Sequence, residues 1–93
     1  MHGDADAIRR LARTMGEQGT TLRDEAGRLL ARAETVTWEG LAADAMRQRV
    51  REQVTGLHWA AVLADEAADA LGRHARAVEE RGDLVGDLLG LVS

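Results

Sequence analysis

Residues 5–36 read ADAIRRLARTMGEQGTTLRDEAGRLLARAETV, and two interlocked series run through them. Every seventh residue from position 8 is large and apolar: Ile8, Met15, Leu22, Leu29 and Val36. Every seventh residue from position 5 is small: Ala5, Ala12, Gly19, Ala26 and Ala33. A seven-residue apolar repeat keeps one face of a helix against a neighbour. The pattern therefore predicts one helix over 4–35, with a row of large side chains beside a row of small ones. Asp4 and Asp6 near its start suit the positive end of the helix dipole and can cap it.

The second half repeats the scheme. From position 43 the series is Ala43, Val50, Leu57, Ala64, Leu71, Val78 and Val85. From position 47 it is Arg47, Val54, Ala61, Ala68, Ala75, Gly82 and Leu89, in which only Arg47 is not apolar or small. A second helix is expected from 38 to at least 81. Between the helices lies Thr35-Val36-Thr37-Trp38-Glu39-Gly40. Its β-branched run is a poor helix former, which places a turn at 36–40. Thr37 can cap the second helix, and Glu39 then sits in its first turn.

So short a connection makes the helices antiparallel neighbours, in which facing positions share a constant sum. With a sum near 79, Ile8 faces Leu71, Met15 faces Ala64, Leu22 faces Leu57 and Leu29 faces Val50. With a sum near 80, Ala5 faces Ala75, Ala12 faces Ala68 and Gly19 faces Ala61. The expected seam thus comprises Ile8, Met15, Gly19, Leu22, Leu29, Val50, Leu57, Ala61, Ala68 and Leu71, and part of it packs small on small.

Composition agrees with an all-α domain. The 93 residues include 17 Ala and no Pro, and Ala is the best helix former. Apolar residues make up 45% and charged residues 30%, which is outside the disordered range. Residues 1–93 are expected to form a single helical-hairpin domain, with a flexible or partner-ordered tail over 82–93, where Gly recurs at 82, 86 and 90. So small a core is marginal alone, which favours a partner chain.

Apolar residues also fall off the seam: Leu11, Leu30, Leu41, Met46, Trp59, Val62 and Leu63. Trp59 stands roughly 200° around its helix from Leu57, with Val62 near it. Leu11, Leu30, Trp59 and Val62 are the residues expected to bury against another chain, giving a four-helix bundle dimer.

Catalytic chemistry is not expected. There is no Cys, and Ser93 is the sole Ser. His2, His58 and His74 are too far apart for a helical ligand pair, and no Glu-x-x-His occurs, so neither a metal nor a cofactor is expected. Asp65, Glu66 and Asp69 read as a solvated face, with Asp69 able to pair with Arg73 at i, i+4. A net charge of −4 argues against nucleic-acid partners, and Arg47, Arg49 and Arg51 point different ways around a helix. No 18-residue apolar run predicts a stable membrane span, and Met1–Arg13 lacks a signal-peptide apolar stretch.

The turn reads Trp38-Glu39-Gly40-Leu41-Ala42-Ala43. It resembles the Trp-x-Gly turn of the WXG100 (ESAT-6-like) family of type VII secretion substrates, at mid-chain between two heptad helices. That resemblance implies a helical hairpin that acts by dimerising, as a homodimer or with another WXG100-like chain. Trp38 and Gly40 are the matching motif positions: Trp38 would plug the turn end, and Gly40 would allow an unusual backbone angle. The resemblance further implies recognition by a secretion ATPase. The protein would be cytoplasmic before export, then secreted or envelope-associated, without a cleaved signal peptide. The family's C-terminal Tyr-x-x-x-Asp/Glu signal has no counterpart, because the chain contains no Tyr; another surface or a paired chain would supply it. The alternative role is a cytosolic adaptor or chaperone that covers the helical export domain of a toxin.

Overall fold

The computed structural model describes the backbone of residues 2–36 and 40–92, and side chains over 3–36 and 40–90. The fold is an all-α helical hairpin. α1 spans His2–Thr35 and α2 spans Gly40–Val92, and among the described residues only Val36 is not helical. The expected Thr37 cap, Trp38 plug and Glu39 lie outside the described residues.

Local chemistry explains the ends. Asp4 lies in the first turn of α1 and Arg32 in the last, each with the charge that complements the dipole there. The Thr35 hydroxyl donates to the Arg32 carbonyl at 2.8 Å, which occupies one of the acceptors that a helix end leaves unmatched. Gly40 opens α2 with φ of +79°, a left-handed conformation that a side chain disfavours by about 1–2 kcal/mol.

α2 runs past residue 81, the least extent expected for it, to Val92. Residues 82–92, expected as a flexible or partner-ordered tail, continue the same helix. Gly82, Gly86 and Gly90 weaken it, but the Leu and Val residues between them and the absence of Pro leave nothing that breaks it.

Packing divides the chain into two compact units, one joining residues 1–16 to 65–93 and the other comprising 17–64. In the first unit Ala5 and Ala75 are fully buried. In the second, Gly19, Ala26, Ala43, Val54 and Ala61 are buried. Among the described residues no large side chain is fully buried. Ile8, Met15, Leu22, Leu29, Val50, Leu57 and Leu71 are all half-buried, as are Ala12, Ala64 and Ala68. The physical reason is that in each unit two helices meet along one line. The small row occupies that line, and the large residues flank it with one side open to solvent.

The glycines at and away from the turn have opposite expected effects. A methyl group at exposed Gly27 would meet no other atom within 4 Å, so Gly27→Ala should stabilise by about 1 kcal/mol through helix propensity. Gly40→Ala also has space but must adopt a positive φ, and should destabilise by about 1 kcal/mol. Thermal unfolding of both variants against the parent checks the two signs.

Candidate interaction surface

The site begins with what the Ala-lined seam leaves outside. In the unit 17–64, Val54 and Ala61 point into the packing, at 8% and 0% exposure. Trp59 lies five residues from Val54 and two from Ala61, which at 100° per residue puts it on the opposite side of α2. It is 64% exposed, with Leu63 at 61% and Val62 at 39% beside it. Thr55, His58, Trp59 and Val62 line a shallow open depression of about 190 Å3. An indole fixed by so few neighbours presents a large apolar area and one N–H donor, the combination found at interface anchors.

The other off-seam residues are distributed. Leu11 is exposed on α1 in the unit 1–16 with 65–93. Leu30 is exposed and lines a second recess, of about 310 Å3, between the helices of the unit 17–64. Met46 is part-exposed and Leu41 almost wholly so. Trp59 and Val62 are therefore neighbours on one face, whereas Leu30 belongs to a different recess and Leu11 to the other unit.

Sequence reasoning missed two features. One is the ion pair between Arg9 and Glu79, which links the helices in the unit 1–16 with 65–93. Arg9 Nη1 donates to Glu79 Oε1 at 2.6 Å, and Nη2 donates to Oε2, a two-point fork. Asp6 adds a third contact to the guanidinium at 3.5 Å. The hydrogen bond to Glu79 raises the Arg9 pKa further above its ordinary value. Its position sum is well above 80, because helical side chains lean toward their own N-terminus and meet about a turn away from each Cα. A facing scheme that allowed for this lean would have found the pair.

The other missed feature is the recess at Leu30. Its origin is Arg47, the one break in the second-helix series. Arg47 lines the recess with Ala33, the residue that a sum of 80 sets opposite it. The Arg47 guanidinium meets Asp44 at 3.0 Å, and Ala33 has only a methyl side chain to offer the recess.

Among the described residues no group of three or more His, Cys, Asp or Glu could hold a metal, and no helix is long and apolar enough to cross a membrane. What the surface offers is contact area. Residues 1–83 match the family model described as "Putative T7SS secretion signal domain". The chain belongs to that family. Type VII secretion, the pathway that the Trp38/Gly40 turn suggested, is thus supported over most of the chain, at the level of the signal domain and not of WXG100 in particular. Membership in a secretion signal domain family implies export by type VII secretion. No curated protein and no solved structure matches the chain significantly.

Proposed function

We propose that this chain is a WXG100-like type VII secretion substrate that acts by pairing, with a second copy or with another WXG100-like hairpin, into a four-helix bundle. The observation that carries this reading is the exposed apolar group of Trp59, Val62 and Leu63 on the side of α2 away from its seam. A core of Ala, Gly and one Val yields little hydrophobic stabilisation per residue. Transferring the half-open large residues and Trp59 from water would add roughly 25 cal/mol for each Å2 of apolar surface. Pairing would bury that surface before export, in the cytoplasm, and the pair would be the form presented to the secretion ATPase.

Export is tested in a host with a type VII system, using the full chain with a small epitope tag. The chain is expected in the culture supernatant or cell envelope of the wild type, and only inside cells of a strain lacking the secretion ATPase. Equal export from both strains would overturn the substrate role. Retention in both strains, in complex with a toxin's export domain, would favour the adaptor role instead.

A further inference from the structure

Two features of the molecule are complementary to each other, and neither includes Trp59. The first is the recess in the unit 17–64. Leu30, Ala33, Val36 and Val50 give it an apolar lining, and Arg47 and Arg51 stand four residues apart on its α2 side. Glu34 is the one acid among its lining residues, so the lining itself sets two guanidiniums against one carboxylate, with Asp44 meeting Arg47 from outside it. The second is the last part of α2. Leu84 and Leu88 are 59% and 54% exposed there, and Asp83 and Asp87 form the adjoining stripe. After Arg81 this segment contains no basic residue.

We propose that segment 83–89 of a second copy seats in this recess, with Leu84 and Leu88 on the apolar lining and Asp83 and Asp87 against Arg47 and Arg51. The spacings agree. Both charge pairs are i, i+4 on a helix, which sets each pair about 6 Å apart along its axis. The volumes agree as well. A dry cavity of roughly 150 Å3 holds one benzene-sized group, so the 310 Å3 recess has room for two leucine side chains. Arg47 already meets Asp44, but a guanidinium carries five donors in a fork and can serve a second carboxylate. A lipid surface is the poorer occupant, because Asp83 and Asp87 beside the leucines would be repelled by anionic headgroups. The contact uses different surfaces on its two partners, so it is heterologous and can extend from copy to copy. It is independent of bundle pairing through Trp59, which would use one self-complementary face and stop at two chains.

Sedimentation velocity of the full chain over a wide concentration range tests this. The average mass is expected to keep rising with concentration at low salt. That growth should be lost near 1 M salt, where screening acts within about 3 Å; pairing through an apolar face would survive. The double variants Leu84→Asp with Leu88→Asp, and Arg47→Glu with Arg51→Glu, should each grow no further than the pair while keeping parental helicity by circular dichroism. Mixed in equal amounts at low salt, they should assemble beyond the mass that either reaches alone, since one retains an intact recess and the other an intact segment. Arg47→Gln with Arg51→Gln removes the charge without reversing it, and should also abolish growth should the reversed variant lose helicity. Mass that is independent of concentration in the parent chain would overturn the proposal. So would undiminished growth in either charge or leucine variant, or an equimolar mixture no larger than either variant alone. Loss of binding to anionic vesicles in the leucine variant, with mass growth unchanged, would assign the segment to a lipid surface and overturn it too.

Discussion

Gly19→Leu is expected to lower the melting temperature by roughly 10 °C or more, whereas Gly27→Leu should leave it unchanged or raise it slightly. Both glycines lie inside α1, so replacing either gains similar helix propensity, about 0.8 kcal/mol. The propensity gain therefore cancels in the comparison, and the difference reports packing. Gly19 is buried in the unit 17–64, where Ala61 is also fully buried. Four added carbons at Gly19 must push the helices apart or force off-rotamer side chains, at about 2 kcal/mol or more. Gly27 is exposed, and a Cβ there has open space. Thermal denaturation at one protein concentration suffices, because pairing would make both midpoints concentration-dependent. Equal midpoints for the two variants would reject a seam built on the small row.

The seven-residue rows made the fold class legible, and they did so because an Ala- and Gly-lined seam leaves a strong periodic trace. Ala5, Gly19, Ala26, Ala61 and Ala75 sit in those rows and are buried, and the Ala12 and Ala68 of the same rows are half-buried. What periodicity could not convey was the depth of burial. Ile8, Leu22 and Leu57 carry the larger side chains, yet a two-helix contact covers them on one side only. The end of α2 was hidden for another reason. Glycine every fourth residue from Gly82 lowers local helix propensity, and propensity does not include the cooperative gain of extending a helix already formed. The recess at Leu30 was signalled by Arg47 breaking its series, but a broken row indicates only that filling fails, not what fills the space. The Arg9–Glu79 fork left no periodic trace, since side-chain lean displaces the pair from the positions that face each other. The pathway was legible from one short turn, Trp38 to Gly40, and the family match over residues 1–83 supports it more broadly than that turn could.

Trp59→Ala should weaken pairing of the chain by roughly 2 kcal/mol, about thirtyfold in the dissociation constant, while leaving its helicity intact. Trp59 is 64% exposed in the single chain, so truncating it removes little from the hairpin's own packing. The seam residues nearest in sequence, Leu57 and Ala61, point to the other side of α2 and keep their contacts. An indole seated against a second hairpin would lose most of its buried area on truncation and leave a cavity in the partner surface. Val62→Ala should have a smaller effect of the same sign, because Val62 is 39% exposed and presents less area. Leu30→Ala separates this face from the other recess: it should leave bundle pairing nearly unchanged, because Leu30 lines the recess beside Arg47 instead. Sedimentation equilibrium at about 1 M salt isolates the apolar contact from any charge-dependent association. Native helicity with an unchanged dissociation constant for Trp59→Ala would remove this face from the pairing surface. The indole would then serve only as a lid over Thr55 and His58 on its own helix, and the bundle would have to form through α1, around Leu11.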